Sequence, residues 1–184
     1  MEWIFIVITG LGLLWAIWTF NRLVMRRNRV ATAWSDIDVQ LTRRHDLVPN
    51  LVKVVRAYAR HEQGTLKDVT RLRSQALDTD SPERLGQIET ELEALLSRLL
   101  VLQEEYPELR ASENFGKLSE QLVDVENQLQ YARRYYNGAV RDLNTQVGQF
   151  PDLIVARSLG FREAEFYAAD AGTRGPVSVR SLSR

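Results

Sequence analysis

Residues 33–52 read AWSDIDVQLTRRHDLVPNLV, and this stretch combines helical periodicity with an unusually polar face. Around it, apolar residues recur in steps of three and four from Val30 to Ala59, which is the spacing of one stripe on an amphipathic helix. Pro49 interrupts the stripe. Because proline removes a helical hydrogen bond and crowds the preceding turn, we expect a kink at Val48–Pro49 with helix on both sides.

Helical spacing continues on the C-terminal side of this stretch. The stripe resumes after Gly64, a weak break, so we expect residues 30–76 to form one helix bent twice. The sequence DTDSPERL then predicts a turn and a new helix, with Ser81 as N-cap and Pro82 at the first helical position.

Two further stripes complete the chain. The first extends over 85–102, and the second extends over 118–147 and is stopped by Phe150-Pro151. Residues 152–159 predict one more short helix. No segment alternates with period two over any length, so the sequence predicts an all-α protein built as an antiparallel bundle of long helices.

An apolar segment precedes the bundle. Trp3 to Phe20 is 18 residues long without a charge and spans about 27 Å as a helix, close to the thickness of a hydrocarbon core. A secretory signal peptide fits less well, because no basic n-region or A-x-A-like site is present. We therefore expect a single N-terminal transmembrane helix at 1–21, the bundle at 22–161 and a flexible C-terminal tail at 162–184.

The charges behind the apolar segment predict its orientation. Arg22, Arg26, Arg27 and Arg29 follow it directly. By the positive-inside rule they indicate a single-pass protein of the cell (inner) membrane, with its N-terminus outside and its bundle in the cytoplasm.

The net charge is zero, but its distribution is uneven. Residues 21–73 hold 12 Lys+Arg against 5 Asp+Glu, whereas residues 78–126 hold 4 against 13. We expect these segments to face each other within or between chains, which leaves no basic surface for nucleic acid.

Three separated motifs resemble the LemA family of bacterial membrane proteins. They are RNRVATAWSDIDVQLTRRHDLVPNLVKVVRAYARHEQGTLKDVTRLRSQAL, YPELRASENFGKLSEQLVDVENQLQYARRYYNGAVRDLNTQVGQFP and LIVARSLGF. Together the similarity covers residues 20–161. The resemblance implies an antiparallel helical bundle behind one membrane helix, and a relation to a protein of magnetosome membrane biogenesis. It implies no biochemical activity, and the tail after Phe161 departs from the pattern.

The sequence offers little for catalysis. His45-Asp46 could begin a metal site, but the chain has only one other histidine, His61, which falls on the opposite face of a straight helix. HEQGT at 61–65 lacks the second histidine of a zinc-protease motif. G-x-S-x-G and the glycine-rich phosphate loops are also missing. We expect a protein that is not an enzyme, with no metal and no cofactor.

Two polar sets remain, one on each long stripe. The first set is Arg43, Arg44, His45, Asp46 and Asn50, and the second is Glu126, Asn127, Arg133, Arg134, Tyr136, Asn137, Asp142 and Asn144. One interpretation is a buried hydrogen-bond network that fixes helix register, in which Asn50 satisfies the carbonyl freed by Pro49. The other is a docking surface for a partner or a second copy, since Arg and Tyr are common in interface hot spots.

Two functional hypotheses follow from these features. The first is a non-enzymatic, membrane-anchored scaffold that self-associates into a homo-oligomer and organises the membrane or other membrane proteins. The second is a monomeric adaptor or sensor that presents Arg43 to Asn50 to a regulatory membrane partner such as a protease or kinase. The lipid bilayer is a partner in both, and nucleic acid is a partner in neither.

Overall fold

The computed structural model describes residues 1–59 and 61–167, and this part of the chain folds into α-helices without a strand. The helices are α1 (Glu2–Tyr58), α2 (Gln63–Leu77), α3 (Pro82–Val101), α4 (Pro107–Arg110), α5 (Glu113–Gly148) and α6 (Asp152–Ser158), with a 3-10 turn at Leu102–Glu104. The all-α class and the short helix after Pro151 are confirmed.

The antiparallel pair α1 and α5 forms the spine of the bundle. Trp34 packs on Tyr136, with ring centroids 5.4 Å apart, while further along α1 Arg43 pairs with Asp124 at 3.3 Å. The residue numbers rise on one helix as they fall on the other. With 57 residues, α1 is about 86 Å long. It stays helical on both sides of Pro49, as predicted.

The prediction of one helix over 30–76 is wrong. Helix α1 ends at Tyr58, and α2 begins at Gln63 and turns back along α1. The physical reason is burial: reversal brings the apolar face of α2 into the core. A straight continuation would leave that stripe in water. The residues buried in this way are Leu66, Val69, Leu72 and Ala76.

Side-chain caps start α3 and α5. Ser81 accepts a hydrogen bond from the Arg84 amide at 3.4 Å, with Pro82 following as the first helical residue, as the sequence predicts. Ser112 does the same for α5, accepting from the Phe115 amide at 3.4 Å. These serines satisfy amide groups that have no partner inside the helix.

Two hydrophobic clusters hold the bundle. The larger one joins α1, α2, α3 and α5. The smaller one lies at the opposite end and joins α1, α5 and α6 through Leu23, Leu143, Val147, Val155 and Ala156. Beyond it, the N-terminal part of α1 is long and apolar enough to cross a membrane, and only 6% of this span is buried in the fold.

A short extended segment follows α6. Residues 161–167, here named the C-terminal strap, run back along α5 and end at the fully buried Tyr167. The predicted tail begins at residue 162, and its residues 162–167 belong to the strap, whose backbone is hydrogen-bonded to α5. The rest of that predicted tail, 168–184, lies outside the described residues.

Candidate functional site

A cluster of charged residues, here named the core network, lies where α1, α3 and α5 meet. On α1, Arg44 donates from Nη1 to Glu89 Oε2 at 2.9 Å, and His45 Nε2 lies 2.6 Å from Glu89 Oε1. The Glu89 side chain is 0% exposed and that of Arg44 is 2% exposed. One carboxylate of α3 therefore holds two adjacent side chains of α1.

Helix α5 completes the core network. Arg44 also pairs through Nη2 with Glu126. Arg133 donates to Glu93 of α3 at 3.1 Å and lies 3.9 Å from Glu126. Positive and negative groups therefore alternate across three helices. A slip of any helix by one turn would leave a buried charge without its partner, so the network specifies register.

The protonation states follow from burial and pairing. Burial lowers the pKa of the Arg44 guanidinium, and the charge of Glu89 opposes this effect. For Glu89, burial alone would raise the pKa. The hydrogen bond with His45 and the charge of Arg44 outweigh it, and the pKa lies below its ordinary value. Glu89 is therefore a carboxylate in the core at neutral pH.

The kink-prone proline creates a second polar contact. Pro49 has no amide N–H, so the carbonyl of His45, four residues earlier, loses its helical donor. Arg73 of α2 donates from Nε to this carbonyl at 2.7 Å. The donor to this carbonyl is thus Arg73 of α2 rather than Asn50, whose side chain is exposed. Arg73 thus fastens α2 to α1 at the proline.

Two asparagines of α5 hold the C-terminal strap by its backbone. Asn144 donates to the Ala164 carbonyl at 2.9 Å and accepts from the Ala164 amide at 2.8 Å. Asn137 pairs in the same way with Tyr167, at 3.2 Å and 3.0 Å. The asparagines are seven residues apart, which places them on one face of α5. Each side chain pairs with the strap backbone as a neighbouring β-strand would.

Aromatic packing fixes the end of the strap. Tyr136 donates its hydroxyl to the Glu165 carbonyl at 2.8 Å. The Tyr167 ring lies 6.3 Å from the ring of Trp34, with the Arg133 guanidinium 5.3 Å from its centroid. Burial raises the pKa of Tyr167 to about 12. Its hydroxyl has no hydrogen-bond partner among the described residues. Arg133 therefore links the strap to the core network.

The structure divides the ten candidate residues into three groups. The core network contains Arg44, His45 and Glu126, while Tyr136 and Asn137 bind the strap. The remaining five are exposed: Arg43, Asp46, Asn50, Asn127 and Arg134. The buried residues fit the interpretation of a hydrogen-bond network, whereas the exposed residues are outside it.

Charge complementarity is confirmed within the chain. The basic α1 segment meets acidic residues of α3 and α5 through Arg43 and Arg44.

Beside the core network lies an open groove of about 130 Å³ lined by Glu93, Glu126 and Asn127. This volume is below that of small-molecule pockets, so the groove does not resemble a substrate site. No cluster of metal-ligating residues occurs within 1–59 and 61–167.

Sequence reasoning missed four residues of the site. Glu89 and Glu93 carry a readable signal, because they lie among the leucines of the α3 stripe, where an acid must be paired when buried. Arg73 has no such signal, since its role depends on α2 folding back. Tyr167 lies in the segment expected to be flexible.

Most of the chain is similar in sequence to known proteins. The sequence pattern of the LemA family matches residues 33–180. Magnetosome protein MamQ 2 of Paramagnetospirillum magneticum is 22% identical over 89% of this chain and 70% of its own length. MamQ of Magnetospirillum gryphiswaldense is 22% identical over 79% of this chain and 65% of its own. Protein LemA of Metamycoplasma hominis is 23% identical over 88% and 74%. With four-fifths of its length matched by the family pattern, the chain belongs to the LemA family.

Proposed function

We propose that the protein is a non-enzymatic, membrane-anchored helical scaffold that self-associates and organises a membrane or other membrane proteins. The observation that carries this proposal is an exposed row on α5, here named the α5 row: Val123, Asn127, Tyr131 and Tyr135. The polar residues of the core are paired with one another, and the α5 row provides a surface for contact with another copy.

The α5 row has the composition of an interface. Its members lie four residues apart, and Val123, Tyr131 and Tyr135 are 53%, 65% and 52% exposed. Arg134 lies over the Tyr131 ring, with its guanidinium 4.8 Å from the ring centroid. Tyrosine and arginine are the side chains most enriched in interface hot spots, and exposed apolar groups in one row favour association.

The anchor supports placement at a membrane. The apolar run of α1 projects from the bundle with its side chains exposed. Trp18 lies near its inner end, where Arg22 sits over the indole ring at 4.5 Å. Tryptophan and arginine at this position suit a membrane interface, and the arginine cluster favours a cytoplasmic bundle at the inner membrane.

The position of His45 supports a non-enzymatic role. His45 lines a shallow cavity of about 260 Å³, and histidine-centred chemistry there would need a ring nitrogen that is free to act on a substrate. Its side chain is 7% exposed and its Nε2 is bonded to Glu89. The imidazole is therefore committed to the core network, and its role there is to set register.

The test is the mass of the protein component of particles extracted in mild detergent. We expect the full-length protein to form a discrete oligomer, and Tyr131→Glu/Tyr135→Glu to reduce it to a monomer. Leu77→Glu/Val101→Glu is the matched control, because it adds the same charge at exposed apolar positions away from α5. A monomeric wild type, or an oligomer unaffected by the α5 variant, refutes the proposed interface. Arg44→Glu is unsuitable, because it would disrupt the core network.

A monomeric adaptor or sensor is the second candidate. The observation in its favour is the exposed polar surface around Pro49, formed by Arg43, Asp46 and Asn50. Such a surface could bind a regulatory membrane partner. A monomeric wild type in the mass measurement favours this candidate over the scaffold.

A further inference from the structure

We propose that the turn between α5 and α6, residues 148–154, is a second membrane contact, which enters the lipid headgroup region beside α1 through Phe150 and Ile154. This inference rests on the proposed anchoring by α1 but not on self-association. Its partner is a phospholipid surface, and anionic headgroups fit it best.

The depth of the turn follows from its contacts with α1. Thr19 donates to Asp152 Oδ1 at 3.3 Å. Leu23 shares a buried cluster with α6, and Trp15 and Ala16 pack against that cluster. Because α1 is one continuous helix, residue number along it measures depth.

The contacts of the turn overlap the apolar run. Trp15 lies five residues before Phe20, where the charge-free run ends, which corresponds to about 7.5 Å along the helix. If Trp3 to Phe20 crosses the hydrocarbon core, the turn lies beside the last part of that crossing. It then meets lipid rather than bulk water.

The side chains of the turn suit that environment. Phe150 is 76% exposed and Ile154 is 58% exposed. The acid of the turn, Asp152, is supplied with donors by Thr19 and by Gln146, the latter at 3.0 Å. Its carboxylate therefore does not depend on water alone for hydrogen bonds, while the apolar groups face outward.

Basic residues near the turn identify the class of lipid. Arg157 on α6 and Arg162 in the strap are exposed, as is Arg27 on α1. Cations next to inserted apolar side chains are the pattern of interfacial segments that bind anionic membranes. The turn thus combines exposed apolar side chains with basic side chains nearby.

The experiment uses the absence of cysteine from the chain. Single variants Phe150→Cys and Ile154→Cys of the full-length protein are spin-labelled and reconstituted into vesicles of phosphatidylcholine and phosphatidylglycerol. Collision with oxygen, which concentrates in lipid, is compared with collision with a water-soluble nickel chelate. Ile17→Cys is the reference for lipid and Leu77→Cys the reference for water, because both are exposed to the same extent as Ile154, at 58%.

We expect the ratio of oxygen to chelate collisions at 150 and 154 to shift from the value at 77 toward the value at 17. A ratio equal to that at 77 overturns the inference while leaving the anchor intact. A water-like ratio at 17 as well refutes the anchor, and the inference with it. Labels at 150 and 154 that are shielded from both reagents indicate a protein contact, such as a second copy, and also overturn the inference.

Discussion

Arg73 and Pro49 are predicted to be energetically coupled through the carbonyl of His45. That carbonyl lacks its helical donor because residue 49 is proline, and Arg73 supplies one at 2.7 Å. A hydrogen bond from a charged donor contributes about 1.5–3 kcal/mol. We therefore expect Arg73→Met to lower the free energy of unfolding by about 2 kcal/mol in the wild-type background.

The same substitution costs less when residue 49 has an amide. In Pro49→Ala the new N–H can bond to the His45 carbonyl, so removal of Arg73 no longer leaves it without a donor. The two substitutions together then differ from the sum of their separate effects by about 1–2 kcal/mol. The cycle isolates this contact, because other effects of removing the proline appear in both Pro49→Ala proteins.

The assay is urea unfolding of the four full-length proteins in detergent, followed by helical circular dichroism at a fixed protein concentration. Arg71→Met is the matched control, since Arg71 lies on α2 but is exposed, and its partners among the described residues, Asp68 and Gln75, are on its own helix. Equal losses for Arg73→Met in the two backgrounds would refute the account of the carbonyl. A loss for Arg71→Met as large as that for Arg73→Met would refute it too.

Three further predictions concern the core network and the strap. The pKa of Glu89 is lowered in the fold, so the contribution of its carboxylate to the free energy of unfolding is present above the ordinary value of 4.5. That contribution is lost as the pH falls through the folded pKa. Glu89→Gln should therefore flatten the pH dependence of the urea unfolding midpoint in acid. The pKa of Tyr167 is raised from 10.0 to about 12, so the contribution of its neutral phenol to the free energy of unfolding is lost as the pH rises from 10. The Tyr167→Phe protein should therefore unfold less readily than the wild type in alkali. Asn144→Ala removes two hydrogen bonds and should weaken the strap by about 2 kcal/mol, which is about 30-fold faster amide exchange at Tyr167. Mass spectrometry with fragmentation measures that exchange.

Each of these predictions has an outcome that contradicts it. An unchanged acid profile in Glu89→Gln would mean that other carboxylates set acid stability. Alkaline unfolding that is the same with Phe at 167 would mean that the phenol is not the responsible group. For the strap, Gln128→Ala is the control, because Gln128 is exposed on the same helix and lies outside the α5 row. Faster exchange confined to Ala164 in Asn144→Ala would show that the strap does not open as one unit.

The helices could be predicted because their signals are local. The apolar stripe of α5 and the N-cap at Ser81 each depend on residues that are close together in the sequence, and both are present in the structure. The chain reversal after Tyr58 has no comparable signal. It is decided by burial of α2 against α1, which depends on residues far apart in the sequence.

The site was predicted in part for the same reason. Arg44 and His45 lie on an apolar stripe, and their burial follows from that position. Glu89 could have been found by asking which acids lie on the opposing stripe. The pairing of Asn144 with Ala164 could not, because two asparagines seven residues apart indicate a shared face but not what lies on it.

The unbroken course of α1 sets a fixed distance. In the proposed membrane orientation, residues 21–58 of α1 continue beyond the anchor for about 57 Å along the helix, without a non-helical residue between. The continuous helix thus keeps the turn that joins α1 to α2 at a constant distance from the lipid. A partner bound at that end would be kept at that distance, and a rotation of the membrane segment about its axis would turn the whole bundle with it.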